Sequence, residues 1–215
     1  RRYRFGWQPK IAYWNLTRLA SALSSLFAGP EPLQEGLQVF RETYAAEERD
    51  NVARKLGLAE CREDDLPLME DLQSLMHQGE MDMTLFFRGL SRLSLEQLSP
   101  HRFDEVFYSE EKRKAVEAGL AGWLQRYAAR LAEDALPAEL RQARMLAANP
   151  CYVPRNYLVQ QVIDRAEQGD ASGIDELLDV MRRPYDDQPG NEAYAQRRPD
   201  WARDRAGCSM LSCSS

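Results

Sequence analysis

Only four cysteines are spread over 215 residues, at 61, 151, 208 and 213, which is too few for a disulfide framework and fits a reducing compartment. Histidine occurs twice, at His77 and His101, and neither has a second histidine one helical turn away, so no His-rich metal motif is available. Long apolar runs are missing: no stretch approaches the roughly 20 residues that a membrane-spanning helix requires. No apolar segment follows the basic, aromatic opening Arg1–Lys10, so a secretory leader is not expected there. Threonine and valine are scarce, and no segment alternates apolar and polar residues for long, which argues against strands. There is no excess of positive charge. The 28 Lys and Arg residues are outnumbered by 34 Asp and Glu, leaving a formal charge of −6, a poor basis for neutralising nucleic-acid phosphates. The phosphate-binding glycine patterns, the Ser-centred hydrolase elbow and the calcium loop are likewise absent.

What remains is helical periodicity, and the expected class is mainly α. An apolar stripe of Ile11, Leu19, Ala22, Leu23 and Leu26, broken by Asn15, predicts a first helix with Pro9 near its start and Gly29-Pro30 at its end. A second helix is expected from about Glu31 to Leu56 and stops at Gly57; Leu33, Leu37, Phe40, Tyr44 and Val52 are its apolar positions, and Glu47–Asp50 is a solvated charged stretch. Asp64 or Asp65 caps a third helix ending at Gly79, and Asp82 caps a fourth that carries Phe86, Phe87 and Leu90. Ser109 starts a long fifth helix with Val116, Leu120, Trp123, Leu124, Tyr127 and Leu131 facing inward. Pro137 opens a helix ending at Asn149-Pro150, another covers about Arg155–Gln168, and a last one begins near Asp170 or Ser172, where Ser172-x-x-Asp175 has the form of a capping box. This gives a helical region over 1–183 and an irregular tail over 184–215, whose arginines are largely cancelled by nearby carboxylates.

Most candidate chemistry reads as packing. The paired acids Asp64-Asp65 and Asp186-Asp187 are expected to cap helices or turns, and Trp14, Phe86, Phe87, Trp123 and Tyr127 to fill the core. Cys61 and Cys151 are expected to be buried and inert. Two segments stand apart. In Tyr3–Leu19, polar Gln8, Asn15 and Arg18 interrupt an aromatic, apolar stretch; in the tail, Cys208 and Cys213 lie among small residues, where an exposed thiol can undergo redox chemistry.

Ordered motifs run along the whole chain: Arg2-Tyr3-x4-Gln8-Pro9-x-Ile11-x2-Trp14-Asn15-Leu16-x2-Leu19-Ala20, then Arg54-Lys55-Leu56-Gly57-Leu58, Asp82-x-Thr84-x-Phe86-Phe87-Arg88-x-Leu90, Asn149-Pro150-x-Tyr152-Val153-x-Arg155-Asn156-Tyr157-Leu158 and Arg182-Arg183-Pro184-Tyr185-Asp186-x-Gln188-Pro189. In this order they resemble the selenoprotein O family. Arg1 departs from it, where the family usually has Gly. The resemblance implies a protein-kinase-like (pseudokinase) fold, and transfer of AMP from ATP to hydroxyl side chains of proteins with a divalent metal such as Mg²⁺. It also implies that the phosphate-binding Lys, its Glu partner, the catalytic Asp and the metal-binding Asn and Asp lie upstream of Arg1. On that reading the chain is the later C-lobe and C-terminal helical extension, holds no ATP or Mg²⁺ by itself, and has a missing N-terminal lobe and protein substrates as partners in a bacterial-type cytoplasm. Nucleic acid and membrane are not expected as partners. Cys213 would stand where some animal members carry selenocysteine, with Cys208 or an upstream cysteine as its disulfide partner. Gln8, Asn15, Arg155 and Asn156 are the residues that separate this reading from a non-catalytic helical interaction module. Side chains turned into a cleft beside another lobe favour the enzyme, and helix caps within the bundle favour the module.

Overall fold

A computed structural model describes residues 5–208, and the side chains from Gly6 onward. Among these residues there are eight α-helices and no strand, and an isolated antiparallel bridge joins Met81 and Phe107. The helices are α1 (Gln8–Leu23), α2 (Glu31–Leu56), α3 (Asp65–Gly79), α4 (Met83–Leu90), α5 (Glu110–Ala132), α6 (Ala138–Ala148), α7 (Asn156–Glu167) and α8 (Ser172–Met181). The chain divides into two compact units, 1–51 and 52–215.

The first unit holds α1 and most of α2. Pro9 sits in the first turn of α1, as its sequence suggests, but the helix gives way to a short 3-10 turn at Ser24–Leu26 before Gly29-Pro30 is reached. Tyr13, Phe40 and Tyr44 stack in series at 6.2 Å between neighbouring rings. No residue of α1 is buried, and the buried residues of α2 are confined to Val52, Ala53 and Leu56 in its last turns. The expected inward stripe of α1 is therefore only half covered: Leu19 and Leu26 are exposed, and so is Trp14, against the expectation that it fills a core.

The second unit has the core. α3 packs along α5, and the short α4 lies against the 3-10 segment Pro100–Val106. Phe86, Phe103, Trp123 and Tyr127 are almost wholly buried, with Phe86 4.5 Å from Phe103 and Trp123 stacked on Tyr127 at 5.1 Å. Their polar tips are satisfied by backbone, Trp123 Nε1 donating to Leu68 O and the Tyr127 hydroxyl to Leu56 O, each at 2.8 Å. Gly57 ends α2 with φ +69; a Cβ there would lie 2.6 Å from Met145 Sδ, so glycine is required both for the left-handed turn and for the close approach of α6.

Caps follow the sequence in part. Asp82 and Ser109 accept from Leu85 N (3.1 Å) and Lys112 N (3.4 Å) as expected. At α8 the helix starts after Ala171, so the Ser172 capping box does not form; Asp170 Oδ1 instead accepts from both Ser172 N and Ser172 Oγ. α3 is closed by Glu80 at φ +48, one residue beyond Gly79.

Candidate functional site

The paired acids do more than cap: Asp65 Oδ2 accepts from Arg62 N at 2.8 Å, as a turn cap does, and longer ties are added to it. Asp65 is 2% exposed; its Oδ1 and Oδ2 take Arg130 Nε and Nη2 at 2.7 and 3.1 Å, which ties the start of α3 to the end of α5. Asp187 Oδ1 receives Arg88 Nη2 at 2.9 Å and Arg92 Nη2 at 2.5 Å. The hydrogen bond from Arg88, with the charges of both arginines, holds the Asp187 carboxyl below the usual range.

Asn149 joins three of the motifs. It is fully buried; its Nδ2 donates to Lys55 O (2.9 Å) and Ser91 Oγ (3.1 Å), its Oδ1 accepts from Lys55 Nζ (2.8 Å), and its carbonyl accepts from Arg88 Nη1 (3.2 Å). The Lys55 ammonium also sits 4.1 Å over the Phe87 ring. Burial pushes its pKa down to about 8. The fourth motif joins next door: Pro184 O accepts from Cys151 N and Tyr152 N, and Gln188 Nε2 donates to Val180 O and Arg183 O.

Arg155 and Asp82 make a second tie. Arg155 Nη1 and Nη2 donate to Asp82 Oδ2 and Oδ1 at 2.6 and 2.9 Å, and the Tyr108 hydroxyl donates to Oδ2 at 2.7 Å. Burial alone would raise the Asp82 pKa; the two Arg155 bonds and charge, the tyrosine and the Leu85 amide outweigh it and hold the carboxyl low. Burial and the neighbouring Asp82 carboxylate push Tyr108 up to about 12. A cavity of about 630 Å³ opens beside this pair, lined in part by Tyr108, Arg155, Asn156 and Cys208.

The singled-out residues thus separate. Arg155 spans α4 and α7 within one unit; Asn156 is exposed at the first turn of α7, on the cavity; Gln8 and Asn15 are exposed on α1 of the other unit. Cys208 is buried with Tyr157, Leu158, Leu177 and Ala202, and Cys213 lies outside the described residues. Cys61 and Cys151 are half-buried, more open than expected, because both sit in connections after helices (α2 and α6) and not on helix faces. The role of Asn149 as a junction was missed from the sequence, where Asn-Pro read only as a helix stop.

Among the described residues no three His, Cys, Asp or Glu side chains come together so as to hold a metal ion. The buried carboxylates Asp65 and Asp82 are already ion-paired, and the Lys55 amine is turned onto Asn149.

Geometry and motifs find their counterpart in known sequences. A family model described as protein adenylyltransferase SelO matches residues 1–182. The chain belongs to the SelO family. It is 64% identical over all 215 residues to proteins called protein nucleotidyltransferase YdiU from Xanthomonas axonopodis pv. citri and from Xanthomonas euvesicatoria, and 61% identical to one from Xanthomonas campestris. In each case it spans 42% of the relative's length. The SelO match covers the first unit and the second as far as residue 182, so it includes the exposed motif residues of α1 as well as the Asn149 and Asp82 ties.

Proposed function

We propose that this chain is the helical, supporting part of a longer protein adenylyltransferase, which transfers AMP from ATP to hydroxyl side chains of proteins using a divalent metal. The observation that carries the reading is the fate of the motif residues. Lys55, Arg88, Asn149 and Arg155 are spent on ties between helices and Gln188 on a tie from the tail to the end of α8, which is scaffold work, in a family named for nucleotidyl transfer. Nucleotidyl transfer needs Lys and carboxylate-held Mg²⁺ around the triphosphate, and this function falls to the part of the relatives' length that the chain does not span. That part is read as a kinase-like lobe. The stretch bearing Trp7, Gln8, Trp14 and Asn15 is read as its seat, because Trp7 and Trp14 are 39% and 43% exposed and large aromatic side chains left at the surface suit a contact site.

In the longer protein the tail cysteine, Cys213, is read as a redox thiol. No described helix is long and apolar enough to cross a membrane, and a bacterial cytoplasmic setting accords with the low cysteine content. A second reading, a non-catalytic interaction module, draws on Arg155, whose side chain serves the bundle. Calorimetry separates the two when run on this chain and on the full-length protein. The chain should give no saturable heat with Mg-ATP, and the longer protein should bind it and label acceptor proteins with AMP. Micromolar binding by the chain overturns the division of labour; a longer protein that neither binds nor labels leaves the module reading.

A further inference from the structure

Lysine is rare in this chain and arginine is not: four of the 28 basic residues are lysines, Lys10, Lys55, Lys112 and Lys114. Two of them are tied to carboxylates, Lys112 to Glu80 and Lys114 to Glu110, the latter at 3.6 Å. Lys10 is exposed on α1, 5.4 Å from the Trp7 ring. Lys55 differs from all three. It is half-buried in the last turn of α2, and its Nζ meets a neutral amide, Asn149 Oδ1 at 2.8 Å, and the face of the Phe87 ring at 4.1 Å.

Among the described residues no carboxylate pairs with Lys55, and the other charge at this junction is positive: Arg88 Nη1 donates to the carbonyl of the same Asn149 at 3.2 Å. An ammonium half-buried without a counter-charge is costly, so the site favours the neutral amine. Burial accordingly pushes the Lys55 pKa down to about 8. A desolvated lysine with part of its population as free amine is the form in which lysine acts as a nucleophile. The orientation of Asn149 is fixed as well, because its Nδ2 donates to Lys55 O and Ser91 Oγ, and its oxygen is left to face the amine. That oxygen holds one N–H of the free amine and leaves the nitrogen lone pair to an incoming group.

We infer that Lys55 is a site of acylation by small acyl phosphates, singled out among the lysines by an amine held on Asn149 without a carboxylate. The free amine attacks the carbonyl carbon of the acyl phosphate. A C–N bond forms, the C–O bond to the phosphoryl group breaks and leaves its electrons on the departing phosphate, and the surplus amine proton goes to water. The donor must be small, because the side chain is half-buried. The amide product is neutral and keeps one N–H for Asn149 Oδ1, so acylation removes an unpaired charge from the junction that joins α2, α4 and the end of α6.

The test incubates the 215-residue chain with acetyl phosphate near neutral pH and reads acetyl occupancy at the four lysines by peptide mass spectrometry. Lys55 should acetylate about tenfold faster than Lys114. Its larger share of free amine gives a gain of order a hundredfold, part of which is lost to the weaker nucleophilicity of a less basic amine. In unfolding urea the four lysines should react at similar rates, since the selectivity belongs to the fold. Asn149→Asp places a carboxylate on the amine and should bring Lys55 to within about threefold of Lys114. Where circular dichroism shows that this variant does not fold, the comparison of folded and urea-unfolded wild type decides alone. A Lys55 no faster than Lys114 in the folded chain, an advantage that persists in urea, or a folded Asn149→Asp chain that keeps the advantage each overturns the inference. Acetyl phosphate carries no nucleotide, so the result is independent of AMP transfer by the longer protein.

Discussion

Removing the Arg155 side chain should destabilise the second unit more than any other single truncation of a partly exposed residue. The pair is 13% and 2% exposed on the Arg155 and Asp82 sides and bonded in two-toothed fashion at 2.6 and 2.9 Å. In Arg155→Ala the Asp82 carboxylate stays buried with only the Tyr108 hydroxyl and the Leu85 amide to hold its charge. Orphaning one member of a buried ion pair costs about 3–5 kcal/mol, and two charge-assisted hydrogen bonds at roughly 1.5–3 kcal/mol each give a similar sum. Taking about 4 kcal/mol, the melting midpoint should fall by roughly 8–16 °C for a chain of this size. Thermal unfolding is followed by tryptophan emission, where fully buried Trp123 reports on the core. Acidity gives the discriminating control. The folded Asp82 pKa lies below its unfolded value of about 3.9, so the pair's stabilisation is whole above that pH and drains away as acid protonates Asp82 through its lower folded value. The gap between wild type and variant should therefore be widest near neutral pH and narrow in acid, as the orphaned Asp82 of the variant takes up a proton before the paired Asp82 of the wild type does. A loss under about 1 kcal/mol, or a gap that does not narrow in acid, refutes the claim that Arg155 holds a charged Asp82.

Asn149→Leu, which fills the volume but breaks the junction, should cost about 2–4 kcal/mol in urea unfolding, because Lys55 Nζ and Ser91 Oγ lose a buried partner together. Lys55→Met should remove a rise in stability between pH 8 and about 10: the folded amine titrates near 8 and the unfolded one near 10.5, so the unfolded chain holds the extra proton in that window. Above about pH 10 stability should fall in both proteins, since buried Tyr108 and Tyr127 stay protonated when folded and ionise when unfolded.

The sequence carried the helices well because each depends on local signals. Gly57, Asp82, Ser109 and Asn149-Pro150 mark their ends by backbone chemistry that no distant residue can alter, and the α5 stripe from Val116 to Leu131 is buried as its spacing requires. Exposure was less legible. The spacing that places Leu19, Trp14 and Tyr44 on apolar faces says nothing of whether another surface covers them, and in the first unit none is buried. Long-range polar ties were the least legible. Asp65 reads as a cap from its neighbours, and only the fold brings Arg130, 65 residues away, onto both its oxygens. The same holds for Asn149 and Lys55, 94 residues apart. The motifs that resemble selenoprotein O do not say what their residues touch; the geometry joins several of those positions, Lys55, Arg88, Asn149 and Arg155 among them, in a polar framework.

Cys208 joins this framework to the redox reading of the tail, because a buried thiol can exchange only after its surroundings open. It is 5% exposed, in a cluster with Tyr157, Leu158, Leu177 and Ala202. The chain reaches it through Gly207 at φ +80, and a Cβ on that residue would lie 2.3 Å from Gln160 Oε1. Gly207→Ala must therefore adopt a backbone conformation that costs an L-residue about 1–2 kcal/mol, and must also push the Gln160 side chain aside. The Gln160 tip can swing away, so the backbone term dominates. If the strain is relieved by the segment lifting from α7, the opening that exposes the thiol becomes easier by the same amount, and each 1.4 kcal/mol is tenfold in an equilibrium constant. Alkylation of Cys208 by iodoacetamide, read by peptide mass spectrometry, should be slower in the wild-type chain than that of half-buried Cys61 and Cys151. In Gly207→Ala it should accelerate by roughly 5- to 30-fold, with Cys61 and Cys151 unchanged as internal standards. A Cys208 that reacts as fast as Cys151 in the wild type, or no faster in the variant, would mean that burial does not guard this thiol.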